Sequence, residues 1–182
     1  MHMNAHYKFK KIWTISLNNI NNKQNIAKHN YIPLKWQLLL TSDGSFTQNL
    51  TSLTGNTINL NIISTFIYKS FKYTNHIREV CLQDTIYQNL AFAKSTWPIY
   101  KNNKITEIKK LHKKPVGQVL IESKIDIYKD IDEIYYGYCE HLENQFQIDE
   151  PIWGRKYTIY YKNYPLTTIQ EIFSPNIVNF FV

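Results

Sequence analysis

The chain has 182 residues, a length typical of one domain, and we predict that residues 1–182 form a single domain. Apolar residues make up 43% of the sequence, which excludes wholesale disorder, and the longest apolar runs are too short to cross a bilayer. The net charge of +7 is scattered, apart from one lysine-rich cluster at 109–114, and no zinc-finger or RNA-binding signature accompanies it. We therefore expect no nucleic-acid partner and no membrane span.

The first predicted element runs from Tyr7 to Leu17, and a polar surface loop rich in asparagine and lysine follows at 18–30. Two cysteines, Cys81 and Cys139, are too few for a secreted disulfide framework, which favours a reducing compartment. The six histidines form no ligand cluster with cysteine or aspartate, so no metal site is expected.

Two short helices are predicted at 33–55. Pro33 can open the first because its fixed φ suits the first helical turn. Ser45 and Gln48 have the spacing of a capping box at the start of the second, and Gly55 is placed to end it. The segment is either a packed helical hairpin or a mobile flap.

The rest of the chain is dominated by alternating apolar residues, which indicate strands. The predicted strands and connections are 56–68, 76–83, 89–97, a loop with a short polar helix at 99–114, a brief helix at 115–122, a strand at 124–138 that can continue as a helix through 143, and a hairpin of 153–162 with 166–173 around Asn163-Tyr164-Pro165. Many antiparallel strands with a few helices predict an α+β fold built on a single antiparallel sheet.

Three charged residues share strand faces with apolar side chains, and only two arginines stand beside 19 lysines in the whole sequence. Strand alternation puts Arg78, Arg155 and Glu171 on apolar faces, where an unpaired charge would cost several kcal/mol. One interpretation is an internal ion pair, such as Arg155 with Glu171; the other is that arginine receives a carboxylate ligand while glutamate accepts a hydroxyl hydrogen bond. Cys81 falls on the opposite face of its strand and is predicted to be a core residue.

Four motifs occur in the order found in chorismate pyruvate-lyases, and the sequence resembles that family over roughly residues 33–175. They are Ile77-Arg78-Glu79-Val80-Cys81-Leu82, Lys114-Pro115-Val116-Gly117-Gln118, Ile152-Trp153-Gly154-Arg155, and the segment from Pro165-Leu166 to Glu171-Ile172-Phe173-Ser174-Pro175. Residues 38–45 are similar to a helical flap in the cyanobacterial and plastid-encoded branch of the family.

The resemblance implies a sheet with helical flaps, one of them at 33–55, that enclose a ligand pocket. It implies an enzyme that cleaves chorismate to 4-hydroxybenzoate and pyruvate without a cofactor. Arg78 and Glu171 would be the catalytic residues, holding a substrate carboxylate and the ring hydroxyl respectively. Val116 would bind substrate through its backbone N–H, and Arg155 would bind substrate nearby.

The same resemblance implies a plastid-encoded protein of the chloroplast stroma, with the cytoplasm as the alternative location. A monomer is expected. Three other functions stay open: a non-catalytic, sensor-like domain of the same fold that binds small aromatic acids, a basic nucleic-acid-binding protein, and a structural protein that has lost activity.

Overall fold

The computed structural model describes residues 7–17, 31–85, 88–99, 116–117 and 126–181. The predicted polar loop at 18–30, almost all of the segment 99–114 and most of the predicted helix at 115–122 lie outside the described residues. Among the helices that are described, none combines the length and the apolar composition that crossing a bilayer requires.

Seven antiparallel strands form one sheet in the order β1-β5-β6-β7-β4-β3-β2. The strands are β1 (Lys10–Ser16), β2 (Asn59–Lys69), β3 (Thr74–Gln83), β4 (Asn89–Pro98), β5 (Ile127–Tyr138), β6 (Ile152–Tyr161) and β7 (Tyr164–Phe173). The helices are α1 (Leu34–Leu40), α2 (Phe46–Thr54), α3 (Glu140–Phe146) and a 3₁₀ helix at Pro175–Phe180. This arrangement confirms the predicted α+β fold with a single antiparallel sheet.

The two predicted helices at 33–55 are present as α1 and α2. Gly55 ends α2 in the left-handed conformation, with φ of 68°, which glycine adopts without strain. Ser45 is the N-cap residue of α2, but its side chain makes no capping hydrogen bond. The predicted capping box with Gln48 was therefore wrong, although the helix starts where the spacing placed it.

The turn of the final hairpin lies one residue earlier than predicted. Lys162 and Asn163 form it, with φ values of 48° and 65°. A two-residue turn with both φ values positive matches the right-handed twist of the flanking strands. Tyr164 and Pro165, predicted as part of the turn, instead begin β7 and pair with β6.

The sheet is covered on both faces. On one face, α1 and α2 pack their apolar residues onto strand residues that include Ala91, Trp153 and Phe173. On the other face, α3 covers a second cluster that contains Cys81 and Tyr135. A Cβ atom at Gly154 would lie 2.4 Å from the Tyr135 ring, so glycine lets this ring lie against β6.

Candidate functional site

Strand register brings the sequence-predicted charges to one face of the sheet. Arg78 on β3 pairs with Ser95 on β4. Ala93, two residues before Ser95 on β4, pairs with Glu171 on β7. Glu171 pairs in turn with Arg155 on β6. Arg78 and Glu171 therefore stand two strand spacings apart across the sheet, roughly 10 Å, and two residues apart along it, with β4 between them. Because Ala93 and Ser95 are small, β4 leaves space above the sheet at this point.

This space is a cavity of about 400 Å³, within the range of small-molecule sites. Arg78, Glu171 and Val116 line it, whereas Arg155 is not among the lining residues that the structure describes. The lining residues come from the sheet, from the start of α2 and from the 116–117 segment, and they are Asp43, Gly44, Ser45, Phe46, Thr47, Leu60, Arg78, Val80, Leu82, Ala93, Ser95, Val116, Gly117, Ile127, Tyr128, Lys129, Tyr157, Ile159, Ile169 and Glu171.

Glu171 is a buried carboxylate held by two neighbours. One oxygen, Oε2, accepts a hydrogen bond from Nε of Arg155 at 2.7 Å, and Oε1 accepts one from the Tyr157 hydroxyl at 2.8 Å. Burial, followed by the charge of Glu171, raises the pKa of Tyr157 well above its ordinary value of 10.0, so this hydroxyl stays protonated and donates. Each carboxylate oxygen has a second lone pair, so a ligand hydroxyl can still donate to Glu171.

Arg155 has no solvent exposure and makes its contacts with the protein. Besides the ion pair with Glu171, its Nη1 donates to the carbonyls of Leu39 at 2.8 Å, Leu40 at 3.1 Å and Ser42 at 3.1 Å. The last carbonyls of a helix have no partner within the helix and carry partial negative charge. Arg155 satisfies those of α1, which has no basic residue in its own last turn.

The internal ion pair that strand alternation allowed is therefore formed, and it ties α1 to the sheet. That Arg155 also contacts substrate remains a prediction; Arg155 is fully buried and is not among the described lining residues of the cavity.

Lys129 is a cavity residue that the sequence analysis missed. Its Nζ donates to the Ser42 carbonyl at 2.7 Å and lies 4.2 Å from the centre of the Tyr157 ring. Burial lowers its pKa from 10.5 to about 8, and the positive charge of Arg155 contributes to the same shift. The strand alternation that placed Arg78 on an apolar face does the same for Lys129, because Lys129 stands between Ile127 and Ile131 on one face of β5.

The 116–117 segment and the start of α2 meet over the cavity. A Cβ atom at Gly117 would lie 2.8 Å from the Ser45 hydroxyl oxygen, so only glycine permits this approach without displacement. Val116 is half-buried and, like Leu166, packs against Trp97. Val116 also lines the cavity, and a hydrogen bond from its N–H to substrate stays a prediction.

Cys81 is a core residue, as predicted. It is 3% exposed, in the cluster under α3, and burial raises the pKa of its thiol to about 11. A protonated thiol is a poor nucleophile, so the chemistry of the site does not run through Cys81.

A family model described as chorismate pyruvate-lyase Rv2949c-like matches residues 40–181. Two relatives are proteins named ycf21. The one from Antithamnion sp. is 42% identical over 86% of this chain and 87% of its own length. The one from Pyropia yezoensis is 38% identical over 85% of this chain and 89% of its own length.

Among solved structures, the effector domain of PhnF from Mycobacterium smegmatis is similar in fold. The TM-score is 0.56 and the sequence identity is 9%, over 73% of this chain and 90% of that domain. This likeness concerns the fold alone.

Proposed function

Because this chain belongs to the Rv2949c-like chorismate pyruvate-lyase family, we propose that it cleaves chorismate to 4-hydroxybenzoate and pyruvate without a cofactor. The observation that carries the proposal is the cavity of about 400 Å³ whose wall holds Arg78 and Glu171 together. These two residues also stand in the motifs that resemble the family.

In this proposal, Arg78 binds the ring carboxylate and Glu171 accepts a hydrogen bond from the ring hydroxyl. A guanidinium can bind a carboxylate through two parallel hydrogen bonds, which orients the ring as well as holding it. The N–H of Val116 is the proposed third contact. The mainly apolar walls, such as Val80, Leu82 and Ile169, suit the faces of a six-membered ring.

The reaction depends mainly on how the protein positions the substrate. The ether bond between the ring and the enolpyruvyl group breaks, and a proton leaves the ring carbon that bears the hydroxyl. The ring becomes aromatic, and the departing group takes up that proton at its methylene carbon to give pyruvate. The protein holds the substrate in the reactive geometry, excludes water, and stabilises negative charge on the departing group.

Arg155 has a positioning role in this proposal. The same guanidinium donates to the Glu171 carboxylate at 2.7 Å and to the Leu39 carbonyl near the end of α1 at 2.8 Å. It therefore fixes the acceptor for the ring hydroxyl and the 33–55 segment together.

The ycf21 relatives support a plastid origin for the chain. We place the protein in the stroma as a monomer with chorismate as its small-molecule partner. In this proposal, the hydroxybenzoate made from chorismate precedes quinone synthesis.

The test is to incubate the purified protein with chorismate and to follow pyruvate and 4-hydroxybenzoate by chromatography. Product should form above the spontaneous rate. In Arg78→Lys, which keeps the charge and loses the two-pronged geometry, kcat/KM should fall about 10- to 100-fold, the loss expected for a charge-assisted hydrogen bond. The matched control is Lys69→Arg, a change at an exposed residue of the neighbouring strand β2. Full activity in Arg78→Lys would contradict the proposed site.

One observation favours a second function. The similar fold is an effector domain in the PhnF protein, so a domain of this shape can bind a ligand without chemistry. Tight binding of 4-hydroxybenzoate, with no product from chorismate, would support this non-catalytic alternative.

A further inference from the structure

Among the described lining residues of the cavity, Arg78 and Lys129 are positive and Asp43 and Glu171 are negative. The charge of Glu171 is balanced by Arg155, which donates to it from behind the cavity wall. With Arg155 included, the described charges at the cavity sum to +1, and Arg78 and Lys129 are the cations in its described wall.

The two cations approach from opposite sides. Arg78 is on β3 and Lys129 is on β5. These two strands are four interstrand spacings apart in the sheet, which is about 19 Å between backbones. Glu171 is on β7, the strand midway across, but four residues along it from Thr167, which stands level with Lys129. A ligand that meets all three groups carries two separated anionic groups and a hydroxyl.

Chorismate has this distribution of groups and 4-hydroxybenzoate does not. Chorismate carries one carboxylate on the ring and a second on the enolpyruvyl arm, whereas the aromatic product keeps only the ring carboxylate. The second cation can therefore distinguish substrate from product.

We propose that Lys129 binds the enolpyruvyl carboxylate and makes the site selective for the dicarboxylate substrate over its monocarboxylate product. The inference rests on the proposed function. In the absence of that carboxylate, the ammonium group donates to the Ser42 carbonyl. This carbonyl also accepts a hydrogen bond from Nη1 of Arg155 at 3.1 Å. Ser42 therefore keeps a donor when Lys129 turns to the ligand, which lowers the cost of the exchange.

The burial of Lys129 supports the same role. Its ammonium lies over the face of Tyr157, on the face of β5 that also carries Ile127 and Ile131, where a lysine costs stability. Its hydrogen-bonded carbonyl is neutral. A ligand carboxylate there would form a charge-assisted hydrogen bond, which is stronger than the bond to a carbonyl.

The test compares two ligands in the variant Lys129→Met, which keeps an apolar stem against Tyr157 and removes the ammonium group. We expect kcat/KM for chorismate to fall about 10- to 100-fold, the factor for one charge-assisted hydrogen bond, while the dissociation constant for 4-hydroxybenzoate changes less than about threefold. Lys129→Arg should recover much of kcat/KM because it restores the cation. Lys156→Met is the matched control, since Lys156 is exposed and points to the other face of the sheet.

Equal losses for chorismate and 4-hydroxybenzoate would overturn the inference, because a residue that only holds Ser42 affects both ligands alike. Unchanged values for both ligands would overturn it as well. Failure of the proposed function looks different: the wild-type protein itself would release no pyruvate.

Discussion

The guanidinium of Arg155 joins three parts of the molecule at the scale of a single residue. It pairs with Glu171, satisfies the carbonyls at the end of α1, and lies near the face of Phe46 with 5.7 Å between the guanidinium carbon and the ring centre. A buried ion pair adds little net stability over a well-packed apolar pair, but removing one member leaves an uncompensated charge. Arg155 is therefore needed to balance the buried charge of Glu171 and to orient its carboxylate.

The variant Arg155→Met should lower the free energy of unfolding by about 3–5 kcal/mol, because Glu171 loses its counter-ion and three carbonyls lose a donor. Urea unfolding at neutral pH measures this. Adding Glu171→Gln to Arg155→Met should recover part of the loss, which a double-mutant cycle would quantify. A loss below about 1 kcal/mol, similar to that of Lys156→Met, would contradict the structural role of Arg155.

The ionisation of Lys129 should make stability depend on pH. The groups that act on it are Arg155, which lowers its pKa, and Glu171 and Asp43, which raise it, but burial dominates and the pKa falls from 10.5 to about 8. Above pH 8 the folded state releases a proton that the unfolded state keeps until about pH 10.5, so stability rises with pH across this window.

Compared with Lys129→Met, the wild-type protein should gain up to about 3 kcal/mol of stability between pH 8 and 10.5. The difference between the two proteins isolates Lys129, since buried tyrosines titrate in both. Urea unfolding at several pH values measures it, and a difference that stays constant with pH would show that the lysine keeps its ordinary pKa.

At the scale of the element, the cavity exists because β4 carries small side chains where neighbouring strands carry larger ones. Ala93 lies under the ligand space, half-buried, whereas Ala91, two residues along the same face, is fully buried beneath α1 and α2. Alanine therefore leaves room for a ligand at position 93 and fits a packed core at position 91.

Ala93→Leu should project into the cavity and strongly weaken binding of 4-hydroxybenzoate, while the free energy of unfolding changes by less than about 1 kcal/mol. Ala91→Leu is the matched control; it should cost about 1–3 kcal/mol through overpacking. Calorimetric titration and urea unfolding measure the two effects. Undiminished binding in Ala93→Leu would contradict the location of the site.

Element by element, the sequence predicted what depends on local periodicity. Alternation along β3, β6 and β7 predicted that Arg78, Arg155 and Glu171 point inward, and the structure confirms it. What depends on tertiary neighbours was missed: Ser45 contacts Gly117 rather than capping α2 through its side chain. The hydrogen bonds of Arg155 with α1 join residues more than 110 positions apart, a pairing that no local pattern encodes.

At the scale of the whole molecule, the sheet separates two kinds of packing. The face under α3 is an apolar cluster with protonated thiols, while the opposite face combines an apolar core with charged residues around a cavity. The site residues that the family resemblance implies stay predictions. Strand alternation marks Lys129 as an inward-facing charge, but its hydrogen bond to the Ser42 carbonyl depends on the three-dimensional arrangement. The function proposed here depends on that charged half of one face.

The most direct test of this account is a crystal structure of the protein with 4-hydroxybenzoate. The account predicts that the ring lies in the cavity with its carboxylate on Arg78, its hydroxyl on Glu171, and Lys129 still bound to the Ser42 carbonyl. A ring bound elsewhere, or bound in the cavity with its carboxylate on Lys129, would contradict it.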